Sequence, residues 1–390
     1  MTKITLKKGN YQRIFSGHPW VYGNEIGSVS AAIDPGEIVE VADSKNRFVG
    51  RGYYNAKSQI TVRLLTRDAE EQIDHTFFKN KIQACLDYRH QLGYRENYRL
   101  VFGESDFLPG LIIDKFGDHF VIQTLSLGMD RWKDTIAKVL QELFSPKGIY
   151  ERNDVPVRKL EGLQEQKRFL SAPFPVKFQL EEQGVKFLID VENGQKTGFF
   201  LDQKENRQAL QHIAAGAEVL DCFCYTGSFS LFAAKFGAKS VLGLDVSEAA
   251  VAQATENAGL NEFGTVCRFQ AANAFDLLPV WAKEKKQFDI VILDPPAFTK
   301  NRAGIEAAGR GYKEINLRAM KLIRKGGFLL TFSCSHFMEP GLFFDMIAQA
   351  AFDSGKTIRQ VAFLSQAKDH PIVWNIEETN YLKGFVLQVI

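Results

Sequence analysis

The sequence lacks the features of a membrane or secreted protein. No run reaches the roughly 18 apolar residues of a membrane-spanning helix, and residues 1–8 lack the apolar core of a signal peptide. The five cysteines form no C-x-x-C pair, and no His/Cys group has the spacing of a zinc site. We therefore expect a reduced, cytoplasmic protein without a membrane segment or a metal.

The chain also lacks a large excess of either positive or negative charge. The chain has 48 basic and 46 acidic residues among 390, with a net charge of +2. Such a balance neither requires nor excludes a polyanionic partner, because nucleic-acid binding depends on a local basic surface. Residues 1–70 carry ten basic against seven acidic residues, although solvated charges on edge strands explain this excess equally well.

The chain length and a change of pattern along the sequence predict three domains. Residues 1–72 contain short β-like runs between turns, which predicts a small all-β domain. Residues 73–184 combine helical and strand-like runs, which predicts a central α+β domain. Residues 185–390 alternate strands with helices, as is typical of a doubly wound, Rossmann-like α/β sheet. Seven strands are expected there, with a hairpin-like end: 218–221, 240–245, 266–270, 288–294, 328–332, 358–364 and 385–390.

The first two of these strands end at positions suited to a nucleotide. Asp221 begins a turn that leads to Gly227, and Asp245 at the end of the second strand could accept hydrogen bonds from a ribose. A dinucleotide site would need G-x-G-x-x-G so that the pyrophosphate can approach the helix, and this turn has one glycine. NAD is therefore disfavoured.

The same turn, together with Asp245, resembles the first two motifs of the class I S-adenosylmethionine-dependent methyltransferases. The resemblance implies S-adenosylmethionine as cofactor, a close backbone approach at Gly227, and ribose hydroxyls held by Asp245. Asn273 stands where such enzymes often have an Asp facing the adenine amine, and its amide oxygen can still accept that hydrogen bond. The implied cofactor-binding residues in these motifs are Asp221, Phe223, Tyr225, Gly227, Asp245 and Asn273, and Asp294 further along the chain is also expected to contact the cofactor.

Two later motifs leave the methylated atom open. Asp294-Pro295-Pro296-Ala297-Phe298 is similar to the loop with which amino-methyltransferases align an exocyclic amine, with the aromatic ring stacked on the base. Carbon methylation instead needs a thiolate that adds at C6 of a pyrimidine, and Cys334 at the next strand end could supply it. Packing as a small buried hydrophobe is the other interpretation of Cys334.

The N-terminal run Gly17-His18-Pro19-Trp20-Val21-Tyr22, followed by β-like segments, resembles a PUA domain, which implies contact with RNA. The whole chain is similar to the ribosomal RNA large-subunit methyltransferase I family. The motifs that carry this resemblance are His18-Pro19-Trp20-Val21, Gly103-Glu104-Ser105-Asp106, residues 196–203, Cys222 with Tyr225-Thr226-Gly227, Asp294-Pro295-Pro296, Arg310-Gly311-Tyr312-Lys313 and Thr331-Phe332-Ser333-Cys334-Ser335.

The family resemblance implies formation of 5-methylcytosine in 23S ribosomal RNA, with Cys334 as the nucleophile and Asp294 holding the cytosine ring near N3 and N4. It also implies that the segment with Lys196, Phe200 and Asp202 closes over the cofactor, and a homodimer is possible. The broader RNA 5-methylcytosine enzymes often have a second Cys where this chain has Ala297. The base that removes the C5 proton is therefore unassigned, with Asp294 or a water as candidates.

Further residues are expected to contact the substrate. Pro295, Pro296 and Phe298 would lie against the base, and Arg310 and Tyr312 would pair with phosphate and stack on RNA, although capping of the next helix is an alternative for them. Two other functions stay open at this stage. One is an amine methyltransferase in which Cys334 only packs, and the other is an RNA-binding or assembly protein with a vestigial methyltransferase domain.

Overall fold

The chain folds into two units in the computed structural model, which describes residues 1–9, 11–299 and 301–390. The first unit comprises Met1–Phe178, Ile189–Leu201 and Lys368–Thr379. The second comprises Gln179–Leu188, Asp202–Ala367 and Asn380–Ile390. The predicted all-β segment and most of the central segment thus belong to one unit. The division at residues 1–72, 73–184 and 185–390 stays a prediction.

The N-terminal part of the first unit is a six-stranded sheet with the order β2-β6-β5-β4-β1-β3. Its apolar side chains alternate along the strands and form a small buried core that includes Ile4, Val41 and Val62. Gly52 is required where two strands approach closely, because a Cβ there would lie 2.0 Å from the Arg63 carbonyl oxygen. The elements are β1 (Lys3–Leu6), α1 (Gln12–Phe15), β2 (Trp20–Val21), β3 (Ile26–Val29), β4 (Ile38–Ala42), β5 (Phe48–Tyr54) and β6 (Val62–Thr66).

The central part of the first unit is a five-stranded sheet with the order β11-β10-β9-β8-β7. The first long helix begins at a proper cap, since Asp74 Oδ1 accepts a hydrogen bond from the Phe77 amide at 2.9 Å. The elements are α2 (His75–Gln91), β7 (Asn97–Phe102), β8 (Leu111–Phe116), β9 (His119–Thr124), α3 (Leu127–Arg131), α4 (Lys133–Phe144), β10 (Gly148–Asn153), α5 (Val157–Leu160) and β11 (Gln166–Phe169). A two-stranded sheet follows, formed by β12 (Lys177–Glu182) and β13 (Val185–Asp190).

The second unit contains the predicted seven-stranded sheet, with the order β16-β15-β14-β17-β18-β20-β19. The first five of these strands run parallel, and β20 lies antiparallel between β18 and β19, so the fold class and the hairpin-like end are confirmed. The elements are β14 (Glu218–Cys222), α6 (Ser228–Lys235), β15 (Ser240–Asp245), α7 (Glu248–Leu260), β16 (Cys267–Ala271), α8 (Ala274–Lys283), β17 (Phe288–Leu293), α9 (Ile305–Lys321), β18 (Ile323–Ser333), α10 (Pro340–Ser354), β19 (Ile358–Ser365) and β20 (Lys383–Val389).

The strand register brings the sequence motifs to one edge of this sheet. Cys222 at the end of β14 lies beside Leu244 of β15 and Leu293 of β17, and Leu293 lies beside Thr331 of β18. The residues that follow these strands therefore meet at the carboxyl edge, where open α/β sheets bind their ligands. Over the described ranges, no helix has both the length and the apolar character needed to cross a bilayer.

Candidate active site

The turn after β14 has an unusual backbone. Phe223 has φ 65°, Tyr225 has φ 48° and Gly227 has φ 84°, all in the left-handed region that non-glycine residues rarely adopt. The Tyr225 amide donates to Asp245 Oδ2 at 2.9 Å, which ties this turn to the end of β15. At Gly227 a Cβ would also lie 3.0 Å from the Phe269 ring. Backbone strain of this kind concentrates at ligand sites, and here it involves two predicted cofactor residues, Phe223 and Tyr225.

Asp221 is a buried carboxylate with one hydrogen-bonded oxygen. Its Oδ2 accepts from the Ser230 amide at 3.0 Å and from the Ser230 hydroxyl at 2.6 Å. Oδ1 is also buried and has no hydrogen-bond partner in the part of the chain that the structure describes. The pKa of Asp221 is raised to about 7, mainly by burial, with a contribution from the neighbouring carboxylates of Asp294 and Asp245.

These three carboxylates, on the ends of β14, β15 and β17, make the carboxyl edge electronegative. Such a site favours a cation, and S-adenosylmethionine carries a sulfonium and an ammonium group, so the residues present fit this cofactor. Within the described residues, no group of three or more His, Cys, Asp or Glu side chains could hold a metal ion.

Asp245 and Asn273 both have local backbone roles. Asp245 Oδ1 accepts from the Ser247 amide at 3.0 Å. Asn273 caps α8, because its Oδ1 accepts from the Phe275 amide at 3.0 Å, and its Nδ2 donates to Asp276 at 3.0 Å. Contact between Asn273 and the adenine amine therefore stays a prediction, and it would use the second lone pair of the amide oxygen.

The predicted segment around Lys196 is divided between the two units. Lys196 and Phe200 belong to the first unit, and the Lys196 Nζ lies 4.5 Å from the centre of the Phe200 ring. Asp202 belongs to the second unit, where its buried Oδ2 accepts a hydrogen bond from the Tyr381 hydroxyl at 2.5 Å. Closure of this segment over the cofactor stays a prediction.

Asp294 follows β17 directly and is half-buried. Gln203 Nε2 donates to its Oδ1 at 3.0 Å, and Asn206 Nδ2 in turn donates to Gln203 Oε1 at 2.6 Å. This amide chain orients the carboxylate that is predicted to hold the base. Sequence reasoning assigned Gln203 no role, although it closes the matching run 196–203.

Cys334 follows β18 directly and differs from the other cysteines in exposure. It is half-buried, whereas the four others are buried and each has its thiol pKa raised by burial: Cys85, Cys222, Cys224 and Cys267. Its Sγ lies 3.8 Å from the Pro295 carbonyl oxygen. The predicted nucleophile and the Asp-Pro-Pro loop are therefore adjacent in space.

The structure corrects the prediction for Tyr312. This side chain is fully buried within α9, its hydroxyl is bonded to Ser333 and Ser335, and its ring centre lies 4.5 Å from that of Phe298. It therefore cannot stack on RNA. The capping alternative is also wrong, because both Arg310 and Tyr312 lie inside the helix.

Other predicted substrate residues differ in exposure. Arg310 is exposed and forms an ion pair with Glu306 at 2.6 Å. In the loop after Asp294, Pro295 is buried, Pro296 is exposed and Phe298 is half-buried. A buried lysine beside Cys334, Lys383, had no sequence signal, because it lies 49 positions further along the chain.

Two family models and several curated proteins match this chain. Residues 165–384 match the model of an S-adenosylmethionine-dependent methyltransferase family, and residues 4–67 match that of a PUA-like domain. The ribosomal RNA large subunit methyltransferase I of Shewanella amazonensis is 43% identical over 99% of both chains. The protein of the same name from Pseudoalteromonas atlantica is 40% identical over 100% of both.

The chain belongs to the ribosomal RNA large subunit methyltransferase I family. As a member of this family, it is an S-adenosylmethionine-dependent methyltransferase with an N-terminal PUA-like domain. A crystal structure of a protein described as a methyltransferase complexed with SAH covers 100% of both chains with a TM-score of 0.85 and 20% identity. At this low identity the likeness shows the fold alone, over the whole length of both chains.

Proposed function

We propose that the protein methylates C5 of a cytosine in large-subunit ribosomal RNA, with Cys334 as the nucleophile. The observation that carries this proposal is the position of the one half-buried thiol, whose Sγ lies 3.8 Å from the Pro295 carbonyl at the carboxyl edge of the sheet. An amine methyltransferase needs no such thiol. The names of the full-length relatives support ribosomal RNA as the substrate.

In the proposed reaction, the Cys334 thiolate adds to C6 of the cytosine, and the electron pair of the C5–C6 double bond moves to C5. When bound, S-adenosylmethionine supplies an electrophilic methyl group to that carbon. A base then takes the C5 proton, the double bond re-forms, and the thiolate leaves C6. Asp294, oriented by Gln203, would hold the base near N3 and N4, and Ala297 provides no second thiol for the elimination.

Contacts beyond the reacting base would come from the PUA-like domain and from Arg310, which is exposed on α9. Each phosphate contact adds salt-dependent affinity without sequence information. A ribosomal RNA substrate also implies a cytoplasmic location. A homodimer stays a prediction.

The direct test uses labelled S-adenosylmethionine and unmodified large-subunit ribosomal RNA, followed by digestion and identification of the labelled nucleoside. We expect label in 5-methylcytidine with the unchanged protein, and loss of at least about a thousandfold in rate for Cys334→Ala and Cys334→Ser, since a covalent nucleophile is removed. RNA containing 5-fluorocytidine should become covalently attached to the unchanged protein only.

Cys85→Ala is the matched control, because that thiol is buried in the first unit and should be dispensable for methylation. Full activity of Cys334→Ser would overturn the covalent mechanism. Label in an N-methylated nucleoside would instead favour the amine methyltransferase.

A further inference from the structure

Lys383 is a buried lysine that has no role in the reaction proposed above. It is the first residue of β20, is 3% exposed and lies opposite Ser333, the residue before Cys334, in the antiparallel register. Its Nζ donates to the Ser335 carbonyl at 2.7 Å and to the Met338 carbonyl at 2.6 Å. The ammonium group therefore holds the turn that directly follows the thiol.

The serines on either side of Cys334 are fixed as well. Ser333 Oγ donates to the Tyr312 hydroxyl at 2.9 Å, and that hydroxyl lies 3.0 Å from Ser335 Oγ. All three of these side chains are buried. Cys334 thus projects from a segment anchored on both sides, which leaves its sulfur little freedom to move away from the Asp-Pro-Pro loop.

Two acidic groups, Cys334 and Glu339, act against the effect of burial on the charge of Lys383. Burial lowers the pKa of Lys383 to about 8, whereas Cys334 and the exposed Glu339 at the start of α10 act in the opposite direction. The Tyr312 hydroxyl, which approaches the same segment from α9, stays neutral because burial raises its pKa. An isolated buried ammonium is costly, so a nearby anion would stabilise it.

We infer that Lys383 is a positioning residue for Cys334: its ammonium group fixes the adjoining turn 335–338 through the Ser335 and Met338 carbonyls and favours the thiolate form of the sulfur. The inference rests on the proposed role of Cys334 as the nucleophile. In the step concerned, the S–H bond breaks, the proton passes to solvent, and the negative charge on sulfur lies in the field of the ammonium. Thiols beside a lysine become acidic for this reason.

The experiment measures the pH dependence of Cys334 alkylation by iodoacetamide in the full-length protein without RNA, followed by peptide mass spectrometry. The four other cysteines are buried, so their peptides serve as internal controls. We expect a midpoint below the ordinary thiol value of about 8.5 in the unchanged protein. In Lys383→Met, which removes the charge with little change of volume, the midpoint should rise by about one unit, which lowers the rate at pH 7 about tenfold.

Lys383→Arg is the conservative variant and should keep the low midpoint, because it retains a cation that can donate to both carbonyls. Affinity for S-adenosylmethionine, measured by calorimetry, shows whether each variant is folded. A merely structural role would leave the midpoint unchanged in a folded Lys383→Met protein, and that result would overturn the inference. If Lys383→Met does not fold, two other results would overturn the inference. One is an alkylation midpoint at or above about pH 8.5 in the unchanged protein, and the other is a higher midpoint in folded Lys383→Arg than in the unchanged protein.

The outcome can be read separately from that of the proposed function. Alkylation requires neither RNA nor methyl transfer, whereas Cys334→Ser is scored by the methylated nucleoside. If Cys334→Ser keeps its methyltransferase activity, the proposed function fails whatever the alkylation midpoint is. If Cys334→Ser is inactive and the midpoint of Lys383→Met is unchanged, the inference on Lys383 fails alone.

Discussion

At the scale of single residues, the site combines a strained turn with a buried carboxyl group. Phe223 and Tyr225 have left-handed backbone conformations although neither is glycine, and the Asp221 carboxyl group is buried. Each of these features costs free energy, of the order of 1–3 kcal/mol for a strained backbone position. We propose that the cationic cofactor compensates the buried charge of Asp221.

Asp221 should make cofactor binding depend on pH. The pKa of its carboxyl is raised to about 7 in the folded protein, so its contribution to stability is complete below its unfolded pKa near 3.8 and is lost as pH rises through about 7. If the ammonium of S-adenosylmethionine binds the carboxylate, binding must displace a proton below pH 7. Affinity should then fall by up to about tenfold per pH unit below pH 7.

Calorimetry between pH 5.5 and 8, in buffers of different ionisation enthalpy, checks the affinity and the released proton together. Asp221→Asn keeps an oxygen for Ser230 but cannot ionise, so this variant should bind more weakly and without the pH dependence. An affinity of the unchanged protein that is constant over this range would contradict the role of Asp221.

At the scale of the elements, the meeting of α9 with the end of β18 decides where the thiol lies. The sequence around Arg310 contains Gly304, Gly309 and Gly311, yet residues 305–321 are helical. The glycines serve close packing, because a Cβ at Gly309 would lie 3.2 Å from the Met346 sulfur of α10, and one at Gly311 would lie 3.3 Å from the Phe298 ring. Tertiary contacts thus override the low helix propensity of glycine.

Tyr312→Phe tests this contact between α9 and β18. The substitution removes the hydroxyl that bonds Ser333 and Ser335, and leaves buried serine hydroxyls with fewer partners, at a cost of about 1–3 kcal/mol in the free energy of unfolding. We expect a lower thermal midpoint and a lower kcat for methylation, with unchanged affinity for S-adenosylmethionine.

Tyr88→Phe is the control for Tyr312→Phe, since that side chain is 38% exposed on α2 and should change neither quantity. A Tyr312→Phe protein with the same kcat as the unchanged protein would show that the anchored segment is not important for the reaction.

At the scale of the whole molecule, segments distant in sequence complete the first unit. Residues 368–379 join the N-terminal part through contacts of His18 with Glu378 at 3.1 Å and of the Asn375 amide with the Ser16 carbonyl at 2.8 Å. Glu161, after α5, links the N-terminal sheet to the central part. It is buried and accepts hydrogen bonds from Asn55, Ser58 and Arg63, the last at 2.9 Å.

Glu161→Ala should therefore loosen the N-terminal part of the first unit. It leaves the buried guanidinium of Arg63 without its carboxylate, which typically costs about 3–5 kcal/mol. We expect a lower thermal midpoint and faster proteolytic cleavage within residues 1–72. Glu165→Ala is the control, because its ion pair with Lys159 at 2.8 Å is at the surface and should contribute about 0–1 kcal/mol. Equal stability of the two variants would contradict the linking role.

The sequence alone determined the sheet of the second unit, the cofactor and the motifs at its carboxyl edge, because apolar periodicity and strand-end residues act locally. Tyr312 shows where that reasoning stops: its motif predicted stacking on RNA, and only the tertiary structure shows that it packs against Phe298 and β18 in the core.

The same limit applies to Lys383 and to segments 189–201 and 368–379. Their partners are far away in the chain, and the pairing of β20 with β18 that brings Lys383 beside Cys334 is a long-range antiparallel contact. Burial, hydrogen-bond partners and charge environment arise only when such strands pair. The tertiary structure therefore decided which groups surround the thiol, whereas the sequence determined that a thiol stands at this strand end.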